Sequence, residues 1–227
     1  VLPCGSGDDF AGGVGFTADP AALVARLRQP ARPIDVGLAE FAGDGATVRR
    51  RFANCAALGL DAEVAARAHQ RRFLRGRLLY TMATFAVLRQ PPRFPATITL
   101  DAGDGTGPRA ETTELAFVST CNGPRVGGGL VLAPDARIDD GRFHVVRVAA
   151  AGPARLLWLL AKLLVGRHRT DPRVRTVASP RIHVTTPVPI AAALDGEPLA
   201  ERVRSATFTV VPERLLLVGL SDRPMPR

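Results

Sequence analysis

The sequence predicts a mostly β fold with α insertions: antiparallel strands in a sandwich or barrel, interrupted by two helices and preceded by a short helical segment. Three observations carry this expectation. Short β-like runs recur from residue 34 onward, most of them bounded by Gly, Pro, Asp or Asn. Two stretches between them show helical rather than strand periodicity. The composition, 46% hydrophobic and 22% charged over 227 residues, is that of a chain able to bury a core without disulfide or metal staples.

The elements follow in order. Val1-Leu2-Pro3 reads as the end of a strand entering a glycine turn, so the chain is expected to have lost what preceded it. Asp9 opens a helix, and Asp19-Pro20 supplies the cap and first-turn proline for a second, Ala21 to Leu27. Gln29 to Pro33, with two prolines, reads as a linker. Strands are expected at Ile34–Phe41, Thr47–Asn54, Ala96–Asp101, Glu114–Thr120, Phe143–Ala149, Arg181–Thr186, Ala206–Val211 and Arg214–Gly219. The first helical insertion, Asp61–Arg89, places Leu74, Leu78, Met82, Phe85 and Leu88 on one stripe. Its first half is basic, with Arg67, Arg71, Arg72, Arg75 and Arg77 against Glu63. The second, Pro153–Gly166, carries five leucines beside Trp158 and Lys162. Each helix is read either as core with a solvated face or as a contact with an anionic bilayer.

Charge and cysteine content exclude several function classes. The longest stretch without a charged side chain, Ile182 to Leu194, is 13 residues and holds two prolines, too short for a spanning helix. The net charge of +9 favours a polyanion: nucleic acid, an anionic bilayer or a phosphorylated ligand. Aromatic content of 5% argues against a base-stacking surface. Cys4, Cys55 and Cys121 lack CxxC spacing and fit buried thiols better than a disulfide framework or zinc site. Four scattered histidines form no HxxxH or HExxH pair, and no GxSxG elbow is present.

Three motifs can carry chemistry. In Leu2–Ala11, LPCGSGDDFA, glycines before a helix allow backbone N–H groups to approach a phosphate; the plain alternative is a turn capped by Asp8 or Asp9. In Asn122–Phe143, Gly127 to Gly129 permit close approach of a second backbone or a ligand. Asp139-Asp140-Gly141 in the same run is a hairpin-turn signal whose acids can also hold Mg²⁺. In Leu194–Leu199, LDGEPL, Asp195-Gly196 reads as a hairpin turn that projects Glu197, a carboxylate able to accept an alcohol proton.

Taken together with Phe52–Val64, FANCAALGLDAEV, these motifs in this order resemble the bacterial diacylglycerol kinase-like lipid kinases, relatives of sphingosine kinases and more distantly of NAD kinases. The resemblance runs from Leu2 to about Leu220. It implies a carboxy-terminal β-sandwich over residues 31–220, preceded at 1–30 by the end of an α/β ATP-binding domain and followed by a tail at 221–227. By that comparison Gly5, Ser6, Gly7 and Asp9 belong to the ATP site. Asp140 becomes the Mg²⁺ ligand, helped by the main-chain carbonyls of Arg137 and Arg142. Glu197 becomes the general base, with Asp195 shaping its loop and helping with metal. The implied cofactors are ATP and Mg²⁺. The implied substrate is a lipid alcohol such as diacylglycerol, met at an anionic membrane by a cytoplasmic, peripheral protein, without nucleic acid and with a homodimer as one arrangement.

The sequence departs from the family at three points. It holds no GGDGT nucleotide motif, Asp8 stands where Asn is usual, and Arg137 and Arg142 stand where apolar residues are common. A truncated or degenerate relative that holds lipid without catalysis is therefore the alternative function.

Overall fold

The computed structural model describes residues 3–4, 7–43, 45–70, 77–101, 103 and 107–220, with the side chains of 77–79 left aside. The expected tail at 221–227, and Leu74, Arg71, Arg72 and Arg75 of the expected basic helix, lie outside them. In chain order the elements are α1 (Asp9–Gly13), α2 (Pro20–Leu27), β1 (Ala31–Ala42), β2 (Val48–Phe52), β3 (Cys55–Gly59), α3 (Leu60–Gln70), α4 (Arg77–Leu88), β4 (Phe94–Asp101) and β5 (Arg109–Cys121). They continue as β6 (Arg125–Val126), β7 (Leu130–Val131), β8 (Phe143–Ala149), α5 (Pro153–Leu164), β9 (Val174–Ser179), β10 (Arg181–Ile190), β11 (Ala192–Leu194), β12 (Glu197–Pro198) and β13 (Val203–Val218). Strand accounts for 45% and helix for 24%, so the mostly β expectation holds.

Eleven strands form one curled antiparallel sheet in the order β12-β11-β3-β5-β4-β10-β13-β1-β2, with β8 branching from β5 and β9 pairing with β8, while β6 and β7 form a separate two-stranded sheet. Strand β5 makes the corner. Its first half, Arg109–Leu115, pairs with β4, while its second half lies between β3 and β8. The sheet folds over a core to which both halves contribute: Phe41, Phe52, Ile182 and Phe208 from one, Leu58, Val118, Val145 and Leu194 from the other. The opposite face of the β3-β5-β8 half is buried as well, with Cys55, Cys121, Val146 and Val148 packed beside Leu156 and Leu159 of α5. Helix α3 covers Ala57 and Ala193. A strand covered on both faces shows no alternation, which is why β3 went unpredicted: all five of its residues are buried.

Several boundaries depart from the sequence reading for identifiable reasons. The expected linker at Gln29–Pro33 is in fact the start of β1. Pro33 sits opposite Leu216 of β13, where β2 has not yet joined, so its missing N–H leaves no ladder bond unmade. The two expected strands at 206–211 and 214–219 are the single β13, which accommodates a register shift opposite Asp35. The segment with α1 and α2 shares a cluster with the sheet. Ala11, Val14 and Phe16 pack on Ile34, Ile138 and Leu217, and Arg26 donates to the carbonyls of Gly15 at 2.6 Å and Gly219 at 2.8 Å. The single expected insertion at 61–89 is two helices, α3 and α4. Small residues Ala68 and Ala83 with Val64 and Val87 make their contact, and Met82 and Phe85 of the expected stripe face outward. Cys55 and Cys121 are buried free thiols as expected, whereas Cys4 is exposed.

The core has little slack where β1 meets β2. Gly37 lies opposite Phe52, and a Cβ on Gly37 would run into the Phe52 ring, which is stacked on Phe143 at 5.4 Å between centroids. Gly37→Ala is expected to lower unfolding free energy by about 1–3 kcal/mol, measured by urea denaturation. A neutral result would mean that this ring can move aside.

Candidate active site

The hairpin joining β11 to β12 consists of Asp195 and Gly196, both with left-handed backbone (φ 49° and 86°), the conformation a two-residue turn of this type requires. The Asp195 carboxylate accepts hydrogen bonds from the backbone N–H groups of Ala53 (2.8 Å), Asn54 (2.9 Å) and Cys55 (2.9 Å), and the Asp195 N–H donates to the Cys55 carbonyl at 2.8 Å. The hairpin is thus stitched to the turn between β2 and β3, and Asp195 is taken up by that stitching. Glu197 follows with its side chain 78% exposed, and His69 Nδ1 stands 3.7 Å from its carboxylate.

The opposite wall comes from α1 and the triple glycine. Gly127, Gly128 and Gly129 all have positive φ, and the N–H groups of Gly128 and Gly129 donate to the Asp9 carboxylate at 2.6–3.1 Å. The close approach permitted by the three glycines is therefore to Asp9. Burial raises the Asp9 pKa, although the two glycine N–H groups and Arg125 oppose the shift. Asp8 adopts left-handed backbone (φ 49°), a conformation for which Asn and Asp are the best-suited residues after Gly. Gly7, Asp9, Asn54, Asp195 and Glu197 line one cleft of about 490 Å³, which brings together residues from both ends of the sequence. Gly5 and Ser6 lie outside the described residues.

A second, apolar cavity of about 140 Å³ lies between the outer face of β5, β8 and β9 and the helices α3, α4 and α5. Asp61, Tyr80, Val126 and Gly127 line both spaces. The sequence did not single out Asp61 or Tyr80. An acid in the first turn of a helix reads as an ordinary terminus residue, and Tyr80 carries no motif. Burial, reinforced by the charge of Asp9, lifts Asp61 to about 6. Burial likewise raises Tyr80, with Glu197 and Asp61 adding to the effect. The Tyr80 hydroxyl is 3.8 Å from where a Cβ on Gly196 would stand, beside the hairpin that presents Glu197.

Asp140, Arg137 and Arg142 do not line the cleft; they belong to the turn before β8. That turn is held by Asp35, a fully buried carboxylate that accepts from the N–H groups of Gly141 (2.7 Å) and Glu213 (3.1 Å). Asn122 links it to the cleft by donating to the carbonyls of Asp35 and Ala53. Burial raises the Asp140 pKa; the Arg142 N–H and His144 oppose this, and Asp35 and Asp139 add to it. The Arg137 guanidinium pairs with Asp139 at 3.2 Å. Among the described residues no three His, Cys, Asp or Glu side chains converge as a metal-holding group. A half-buried carboxylate with acidic neighbours is nonetheless a donor of the kind Mg²⁺ takes, since that ion accepts one or two carboxylates and keeps several waters.

Residues 54–219 match the family described as the YegS C-terminal NAD kinase beta sandwich-like domain. A probable lipid kinase YegS-like protein of Pseudomonas aeruginosa is 31% identical over 232 residues, spanning all of this chain and 70% of that protein. A diacylglycerol kinase of Mycobacterium tuberculosis is 28% identical over 189 residues, or 82% of this chain and 59% of its own length. Among solved structures, a putative diacylglycerol kinase from Bacillus anthracis superposes with a TM-score of 0.70 at 20% identity, covering 96% of this chain and 68% of that one. This last likeness is one of fold.

Two outcomes test the geometry. Asp195→Ala strips three N–H groups of their acceptor and is expected to cost about 2–4 kcal/mol, read from chemical denaturation; a loss below about 0.5 kcal/mol would show the stitching to be dispensable. The Asp61 carboxyl has its pKa raised on folding, so its favourable contribution is complete below pH 4 and lost as pH rises through about 6. The difference in Tm between Asp61→Asn and the parent should therefore grow, in favour of the variant, from pH 4 to pH 7. A difference independent of pH would place Asp61 in solvent.

Proposed function

The chain belongs to the family of the YegS C-terminal NAD kinase beta sandwich-like domain, and from that membership we propose that it carries the lipid-binding and proton-accepting side of a lipid kinase that transfers the γ-phosphate of ATP to diacylglycerol. The observation that carries this reading is the placement of Glu197. It lines a polar cleft that shares Asp61 and Tyr80 as wall residues with an apolar cavity. A lipid alcohol with its acyl chain in that cavity would present its hydroxyl toward Glu197. The acyl end would be dry and the reacting end wet.

In this reading Glu197 takes the hydroxyl proton as the alcohol oxygen bonds to the γ-phosphorus and the bond to the ADP oxygen breaks. Asp195 holds the hairpin so that Glu197 projects at a fixed place. By the family resemblance Gly5, Ser6, Gly7 and Asp9 would take the nucleotide, and Asp9 sets the triple-glycine loop through the N–H groups of Gly128 and Gly129. Mg²⁺ would be held by the Asp140 carboxylate with the carbonyl oxygens of Arg137 and Arg142, and when bound would offset the negative charge of the turn. The protein would work peripherally at an anionic membrane; no helix among the described residues is long and apolar enough to cross one.

The competing reading, a relative that holds lipid without phosphorylating it, draws on the same apolar cavity. Phosphatidic acid formation from dioleoylglycerol and ATP separates the two. Glu197→Gln is expected to lower kcat by about 10²–10⁴ with little change in KM. Unchanged turnover removes Glu197 as the base, and an inert parent chain that still binds dioleoylglycerol establishes the competing reading.

A further inference from the structure

Helix α5 carries apolar side chains on two opposite faces. Leu156, Leu159, Leu160 and Leu163 turn inward and line the apolar cavity. Ala154, Leu157, Trp158, Ala161, Leu164 and Val165, at helical spacing, form a second stripe exposed to solvent; Trp158 is 54% exposed and Leu164 66%. A helix at a water-facing surface normally presents polar residues there, whereas this outer face has none. The two cations of the helix, Arg155 and Lys162, are drawn to its flank by the buried carboxylate of Asp171, at 2.6 and 3.0 Å, and leave the stripe bare. The same clasp fixes the rotation of the helix, so both apolar faces are set by one ion triad.

The surroundings identify what the stripe meets. Directly after α5 come Arg167, Arg169, Arg173 and Arg175, all exposed, with Arg169 paired to Asp135. The sole acid among residues 166–175 is Asp171, which is buried and already paired. Helix α4, which packs beside α5, adds exposed Met82 and Phe85 and then Arg89. Bare leucines and an indole next to a run of arginines match the boundary between acyl chains and anionic headgroups, where each cation near the surface contributes about 1 kcal/mol. A neutral protein partner would make no use of the arginines.

We infer that the outer stripe of α5 is the element that docks this protein on an anionic phospholipid bilayer, with Trp158 and Leu157 below the headgroups and the following arginines against them. The inference deepens the lipid kinase reading and rests on it for the source of the substrate. The inner face of the helix lines the cavity that takes an acyl chain, and its outer face lies in the bilayer from which the chain comes.

Trp158 is the only tryptophan in the chain, so its emission reports on this face alone. Adding vesicles of 3:7 phosphatidylglycerol and phosphatidylcholine should shift its emission to the blue, and brominated acyl chains should quench it. Pure phosphatidylcholine vesicles should give a smaller response. Leu157→Glu, with an unchanged far-ultraviolet circular dichroism spectrum, should weaken vesicle partitioning by at least about tenfold. It should also lower turnover of vesicle-embedded dioleoylglycerol while sparing dispersed dioctanoylglycerol. Sedimentation with vesicles but without a change in Trp158 emission would overturn the inference, as would no sedimentation, or a concentration-dependent dimer that Leu157→Glu abolishes. An inert parent enzyme whose Trp158 still inserts would sink the kinase reading and leave the docking face standing.

Discussion

The Asp195 carboxylate, with the N–H groups of Ala53, Asn54 and Cys55 around it, is the interaction on which the rest of the site depends. It joins residues some 140 positions apart in the chain and fixes a hairpin that would otherwise be a free two-residue turn. From the same short turn the network spreads. The Asn54 carbonyl accepts from the N–H groups of Asn122 and Gly123, the Asn54 side chain donates to the Arg125 carbonyl, and Asn122 reaches the carbonyl of Asp35. Asp35 in turn holds the Asp139–Gly141 turn. The hairpin with Glu197, the triple-glycine approach and the acidic turn are thus placed by a set of hydrogen bonds between side chains and backbone, most of them at least partly sheltered from water and correspondingly costly to break.

That network can exist because the sheet is covered on both sides. At β5 it turns, so its β3-β5-β8 half has the aromatic core on one face and helices on the other. Sheet and helices leave between them an apolar space that shares Asp61, Tyr80, Val126 and Gly127 with the polar cleft. A carboxylate held at such a boundary is desolvated, and this raises Asp61, with the charge of Asp9 adding to the effect.

Helix α5 closes the apolar space and at the same time forms part of the outer surface. Its orientation is set by Asp171, a buried acid made tolerable by two cations from one helix. The net charge of +9, which by itself suits any polyanion, acquires a direction here: arginines cluster at the end of a helix with an exposed apolar face. Charge and apolar surface at one place favour a lipid surface over a nucleic acid, which would gain nothing from the leucines.

The fold class, the hairpin that projects Glu197, the strand at Phe143–Ala149 to the residue and the helix beginning at Pro153 were all legible in the sequence, because each rests on local pattern or turn chemistry. It did not reveal β3, whose residues are buried on both faces and so do not alternate. Nor did it reveal β9, a half-exposed edge strand with Arg175 and Val177 turned outward. The partners of the named acids were also beyond it. Asp9 meets Gly128 and Gly129 about 120 residues away, and Asp195 meets the β2–β3 turn, contacts that no spacing encodes. That Asp61 and Tyr80 line both the cleft and the apolar cavity, and that Met82 and Phe85 face outward, follows from packing alone. Burial is a property of what packs against a residue, and that is settled by the whole chain.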